Sequence, residues 1–303
     1  MRKGSPPVTQ DTLQSPPHAP PPTGRPNRGL PAALRFLLPP GYEPIAYEPA
    51  TMRRASQWFV PLGFVIGLIW IGVFRSTWRL YGEVGSIRPV PALAVVLVEC
   101  LLTGPFLIMG LARTIHLLAG DKPRRPDEAR NVPLSPVGTL VLCLSILAEF
   151  VFILSLPAEG GWWPQREGWK RYLNLMYPQP IYQPLLLAPI WGRWAILLAA
   201  TIGRTAHGAD ATTVALCSEM TTRRLLRRTI IPLVLTAFYC GRSHNYMMGV
   251  IVALIVFCAA YLVSVVMAVR GGGQTRQSLY ASGLVGQLAF LAVYRALWRF
   301  IHL

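Results

Sequence analysis

The sequence predicts an all-α, polytopic integral membrane protein with about seven transmembrane helices, and three observations predict it. Of its 303 residues, 52% are hydrophobic and 14% charged, with a mean hydropathy of +0.40; a soluble domain of this size is less apolar. Apolar runs of the length that crosses a hydrocarbon core of about 30 Å recur at 58–74, 89–112, 137–157, 180–203, 246–269 and 279–299. The basic residues alternate between these runs. With seven spans and a cytoplasmic N-terminus, the inside segments hold 19 Lys/Arg and the outside loops 7, which is the positive-inside bias of an inner-membrane protein. The formal charge of +16 is therefore read as topology, with attraction to anionic lipid as a by-product. Nucleic acid is excluded as a partner, because it calls for aromatics interleaved with a basic patch on a soluble face.

Taken in order, residues 1–30 carry Pro16, Pro17, Pro20, Pro21 and Pro22 among Ser, Thr and Gln. Such a composition cannot bury enough apolar surface to offset chain entropy, so a disordered cytoplasmic tail is expected. It has no continuous apolar core of the signal-peptide kind. Residues 31–57 hold a short amphipathic piece followed by Pro39 and Pro40 and are read as an interfacial linker; a plain linker is the alternative. The transmembrane domain then runs from 58 to 303. Its outside loop 158–179, AEGGWWPQREGWKRYLNLMYPQ, reads as an aromatic belt at the membrane surface, with a ligand-stacking platform as the alternative. CSEMTTRRLLRR at 217–228 places Arg223, Arg224, Arg227 and Arg228 on one face, as an interfacial helix on anionic headgroups would; an acidic protein partner is the other reading. TIIPLVLTAFYC at 229–240 is short. The polar turn GRSHN that follows favours a helical hairpin and seven spans, against six if the run is re-entrant.

Few groups in this chain can do acid–base or metal chemistry. Only Asp11, Asp121, Asp127 and Asp210 are aspartates, and no acidic side chain follows Glu219. Metal-assisted transfer and carboxylate catalysis both need Asp or Glu near the reacting atoms. The five cysteines form no CxxC pair, which argues against a zinc site or a disulfide framework; they are read as small buried hydrophobes. Glu99 and Glu149 lie inside apolar spans, where an ionisable residue is a functional candidate by position, although each stands alone in the sequence. Pairing with an arginine, or protonation, is the alternative. Asp121, Asp127 and Glu128 fall in DKPRRPDEAR, a solvated loop by its alternating charges and prolines.

A colinear series of fragments resembles the cobalamin synthase family, the membrane-bound adenosylcobinamide-GDP ribazoletransferases. WFVPLGFVIGLIW at 58–70 is similar to the family's opening "fPlvGlviG" helix, LLTGPFLIMGLARTIHL at 101–117 to "lltGglHlDGLaDtaDG", and LSPVGTLVLCL at 134–144 to "DsriGayGvlal". LLAPIWGRWAILLAA at 186–200 resembles "laPalsRwamvlla", and GGQTRQSLYA at 272–281 resembles "GGxTGDxxGA". The resemblance implies a reaction in which the ribose hydroxyl of α-ribazole, or of its phosphate, displaces GMP from a GDP-activated corrinoid. Such phosphoryl transfer normally uses Mg²⁺ held by carboxylates.

The acidic positions implied by the resemblance are altered in this chain. Leu107 stands for the motif His, Met109, Arg113 and His116 for the three aspartates that follow, Leu134 for the Asp before "SriG", and Gln277 for the Asp of "TGD", with Arg276 where the family has Gly. No metal site and no cofactor are therefore predicted. What remains is a cationic pocket on the cytoplasmic side: Arg113, Arg193 and Arg276, with Arg204 or His207, beside Thr275 and a Gly271–Gly272–Gly273 run that lets backbone approach an anion. Arginine binds phosphate bidentately without a metal. The alternatives are that Arg113 and Arg276 meet lipid phosphates at helix ends and that His207 is a plain loop residue. Three functions follow: a non-catalytic homologue binding a phosphorylated or corrinoid ligand, an active transferase, or a structural, partner-binding membrane subunit.

Overall fold

A computed structural model describes residues 29–38, 47–81, 89–103, 106–119, 133–156, 181–240 and 246–297. The tail at 1–28, the acidic residues of 120–132 and the aromatic loop 158–179 lie outside these. The described residues form eleven helices and no strand beyond a single bridge: α1 Gly29–Leu37, α2 Pro49–Ala55, α3 Phe59–Tyr81, α4 Pro89–Thr103, α5 Phe106–Leu118, α6 Pro136–Leu154, α7 Tyr182–Thr201, α8 Ala211–Glu219, α9 Thr222–Cys240, α10 Tyr246–Arg270 and α11 Arg276–Ala296.

Local sequence sets many of these starts. Pro49 and Pro136 occupy the first turn of α2 and α6, where the missing N–H costs nothing. Ser135 caps α6 by accepting from the Gly138 N–H at 3.1 Å. Asp210 caps α8 through the Thr213 N–H at 3.2 Å and hydroxyl at 2.6 Å. Thr275 and Ser278 form a reciprocal capping box at α11.

Among the described residues, four helices are long and apolar enough to cross a bilayer: α3, α6, α7 and the Met247–Arg270 part of α10. The pair α4 and α5 makes a fifth if counted as one bent span. The sequence reading of seven differs from this for two reasons. The run at 89–112 is not one straight helix: α4 ends at Thr103, α5 begins at Phe106, and their axes differ by 80°, across Gly104 and Pro105, residue types that interrupt helices. The helices α9 and α11 carry too many polar residues to pass on composition, α9 because its first turns hold Arg223, Arg224, Arg227 and Arg228. Those arginines open one continuous helix to Cys240, where the sequence suggested a separate surface helix.

Helix α7 is the axis of the molecule: 94% of its membrane-length window is buried, against 22–39% for α3, α6 and α10. Its neighbours are α3, α11, α9 and α10. Lipid tails are as apolar as leucine, so burial alone does not choose a register; close packing and interhelical hydrogen bonds, worth about 0.6 kcal/mol each, do. Gly63 and Gly67 of α3 press against Ile190 and Leu186 of α7, so the two run antiparallel. Trp191 and Trp194 donate their indole N–H groups to the Thr236 and Thr229 hydroxyls of α9, each at 2.9 Å. Tyr294 of α11 donates to Gln183 at 3.0 Å, and Ser264 of α10 to Ser282 of α11 at 3.0 Å. The outward faces expose Leu140, Leu144 and Leu147 of α6 and Leu254 and Leu262 of α10, where lipid replaces protein. This also corrects the expectation of buried cysteines: Cys240 is buried, whereas Cys143 and Cys258 lie on these outward faces.

Candidate functional site

These pairings bring the starts of α3, α6, α9 and α11 and the ends of α5, α7 and α10 to one end of the bundle. That end carries Arg53, Arg54, Arg113, Arg204, Arg270 and Arg276, as well as the arginines opening α9, whereas Arg75, Arg79 and Arg295 mark the other. The short helices α1, α2 and α8 pack on it: α1 lies against α2, and α2 against α8. Phe36 of α1 sits 5.4 Å from both the Phe59 and the Tyr280 rings.

The glycine-rich run is built around Gln274, which is fully buried. Its backbone N–H donates to the Arg204 carbonyl at 2.8 Å and its carbonyl accepts from the Ala206 N–H at 3.0 Å, a bridge that ties this run to the 202–210 loop leaving α7. Its side-chain amide donates to the Ile202 and Ser264 carbonyls at 3.2 Å each and accepts from the Ser278 hydroxyl at 2.7 Å. Gly273 makes the crossing possible. With φ at +132°, a Cβ there would lie 2.5 Å from the Ala206 nitrogen. Gly272, at φ +66° with open space around it, is a turn residue at the surface beside it.

The end of α5 meets the start of α11. A Cβ on Gly110 would come within 2.6 Å of the Tyr280 Cβ and 2.9 Å of the Gln277 carbonyl oxygen, so the two backbones touch. Arg113 lies one turn beyond Gly110, and Arg276 immediately precedes Gln277. The Arg276 guanidinium is held over the Phe36 ring at 5.0 Å and the Tyr280 ring at 5.6 Å, and its Nε donates to the Tyr280 hydroxyl at 2.9 Å. Tyr280 in turn donates to the Phe36 carbonyl. His116, one turn past Arg113, accepts the Ser135 N–H on Nδ1 at 3.2 Å, which puts its proton on Nε2. Leu107 is buried with Ile108 and Leu284, Met109 and Gln277 are half-buried, and Leu134 packs beside Gly138.

The structure thus gathers Arg113, His116, Gly272, Gly273, Thr275, Arg276 and Gln277, with Arg204 and His207 on the bridged loop. It does not bring Arg193 to them. That residue sits eight positions before the end of α7, about 12 Å along the helix, and is fully buried. It donates to Gln287 at 2.7 Å and faces the Glu99 carboxylate at 3.5 Å. Nor do Glu99 and Glu149 stand alone: the Gln287 amide donates to both, at 2.8 and 3.1 Å. Gln287, Gln274 and Tyr280 are the structural residues that sequence reasoning passed over. The signal available for the first was an amide inside an apolar run.

Outside the spans, the Cys217 thiol of α8 is pushed up to about 12, first by burial and then by the Asp210 carboxylate. It is a neutral packing group, without the character of a nucleophile.

Helices bundled around a buried axis, several of them long and apolar enough to cross a bilayer, with a glycine-turned loop cluster and arginines at one end, define a polytopic helical membrane protein. The family comparison is specific. The cobalamin-5-phosphate synthase model matches residues 30–295, and the chain belongs to that family. No curated protein and no solved structure matches it.

The Mg²⁺ implied by the family resemblance needs oxygen ligands, carboxylates above all. At the motif positions the described donors are a thioether, a guanidinium, an imidazole and an amide, flanked by two leucines, and these do not fit it. Among the other described acids, Glu48 is an exposed, single carboxylate at the start of α2 that makes no cap, Asp210 is committed to its cap, Glu219 to Arg224 at 2.7 Å, and Glu99 and Glu149 to the interior. Within the motif set, arginine is the side chain whose chemistry suits an oxyanion.

Proposed function

We propose that this family member binds a phosphorylated ligand, of the nucleotide or corrinoid class its family handles, at the basic end and does not itself carry out the transfer. The observation that carries the reading is the backbone contact of Gly110 with Gln277 and Tyr280. It supports a shared site for Arg113 and Arg276, where the family resemblance implies acids. Arg276, preset by Tyr280 and Phe36, offers a planar cation that loses little rotamer freedom on binding phosphate, and Thr275 and the α11 N-terminus add a hydroxyl and a favourable dipole. In this reading α9 and α11 also cross the bilayer beside α7, giving seven spans. The basic end faces the cytoplasm of an inner membrane, with the N-terminus on that side.

The test has two arms. Membranes containing the protein are supplied with adenosylcobinamide-GDP, α-ribazole and Mg²⁺; GMP and cobalamin above an empty-membrane control overturn the non-catalytic reading. Purified protein is then heated with and without GDP or adenosylcobinamide-GDP. Protection that disappears in an Arg113→Ala, Arg276→Ala double variant is the expected result, and no protection of the wild type overturns the binding reading in favour of a structural subunit.

A further inference from the structure

The interior quartet Glu99, Glu149, Arg193 and Gln287 is not used by the anion site. All four residues are at most 2% exposed. They come from four helices: α4, α6, α7 and α11. The charged or titratable groups facing one another there are the two carboxyls, the Arg193 guanidinium and the neighbouring Cys100 thiol of α4; α11 presents only the neutral Gln287 amide. With both carboxyls ionised and the thiol neutral, the cluster would hold one uncompensated negative charge in the bundle interior, where an unpaired charge is costly enough that a group neutralises instead.

Hydrogen bonding distinguishes the two acids. Glu99 is fully served as a carboxylate: Oε1 faces Arg193 Nη1 and Nη2 at 3.5 Å each, and Oε2 accepts from Gln287 Nε2 at 2.8 Å. Gln287 cannot turn around, because its Oε1 accepts from Arg193 Nη1 at 2.7 Å. Glu149 receives only the second bond from Gln287 Nε2, on Oε1. Its Oε2 is buried without a donor, and so is the Nε of Arg193 without an acceptor. An ionised Glu149 would be drawn to that idle N–H. The Glu149 and Glu99 carboxyls instead converge on the one Gln287 Nε2, at 3.1 and 2.8 Å, and two carboxylates gathered at one amide repel each other unless one of them carries a proton.

We propose that the quartet is an intramembrane proton-binding site in which Glu149 is a neutral carboxylic acid whose proton is shared with the Glu99 carboxylate. The proton converts an orphaned acceptor into a donor and brings the cluster to zero net charge. Helix α11 runs directly from Gln287 to Thr275 and Arg276, α7 from Arg193 to the 202–210 loop, and α6 from Glu149 back to Ser135. Occupancy of the proton site therefore bears on the packing that shapes the basic end.

The experiment is infrared spectroscopy of the full-length protein in lipid nanodiscs at neutral pH. The wild type should show a protonated-carboxyl C=O band that shifts in D₂O. Glu149→Gln should remove it. Glu99→Gln should remove it as well, since Glu149 then becomes the sole counter-ion of Arg193. Both replacements are near-isosteric, and either one that elutes as a single folded species suffices. A wild-type spectrum without the band, or a band that survives either substitution, overturns the proposal.

Discussion

Gln274 and Gln277 are three residues apart in one loop-to-helix segment, yet they should respond very differently to truncation. Replacing Gln274 by alanine removes two donated hydrogen bonds, to the Ile202 and Ser264 carbonyls, and the acceptor of the Ser278 hydroxyl. A hydrogen bond of this kind contributes about 1 kcal/mol net, and leaving a buried partner unsatisfied costs about 1–3 kcal/mol. Ser278 partly recovers, because its hydroxyl also donates to the Thr275 carbonyl at 2.9 Å. The two carbonyls and a small cavity remain, so a loss of about 2–4 kcal/mol is expected. Gln277 is half-buried, and its alanine variant should stay within about 0.5 kcal/mol of wild type. Unfolding by SDS titration in mixed micelles, followed by tryptophan fluorescence, measures both. If the two variants unfold together, Gln274 does not pin the glycine-rich loop to the loop after α7, and the account of how this end is built fails.

Gly110→Val should push the end of α5 away from α11, because its Cβ would meet backbone and a Cβ atom rather than a flexible side-chain tip. Ligand protection should be lost even though neither Arg113 nor Arg276 is changed; thermal-shift titration with GDP reads the difference, and unchanged protection would separate the two arginines. Cys217 should leave an alkaline signature. Its folded value near 12 lies above that of an exposed thiol, about 8.5, so the folded state keeps a proton that the unfolded chain gives up. Stability from this group is complete below the ordinary thiol range and declines as pH rises towards 12, by at most about 1.4 kcal/mol per pH unit. The Cys217→Ala variant should lack that limb in unfolding measured across pH 8–11; identical limbs would contradict the buried setting.

The apolar runs were legible because a spanning helix must be continuous and apolar over its whole length, a one-dimensional property. The caps at Ser135 and Asp210 were equally local. The break at Thr103 was visible only as the residues Gly104 and Pro105, since the two helices it separates have different main partners, α4 packing on α3 and α5 on α11. Arg113 and Arg276 could be matched through the family pattern, but their closeness depends on Gly110, which looks in the sequence like any glycine in a membrane helix. Arg193 was misgrouped with them for a related reason. Its motif neighbours predict a helix, and nothing in GRWA says which level of the bundle the guanidinium occupies or that Glu99 is opposite.

By itself, the sequence determined an all-helical membrane chain with its positive charge concentrated at one end, because hydropathy and charge act residue by residue along the chain. It also determined that acids are scarce where its family resemblance implies them. Only the tertiary structure decided that two glutamates some fifty positions apart share one glutamine beside a buried arginine that faces the first of them, and that Gln274 ties two distant loops together. Those contacts join residues far apart in the chain, and a buried polar group settles its partner by three-dimensional proximity, which no local pattern encodes.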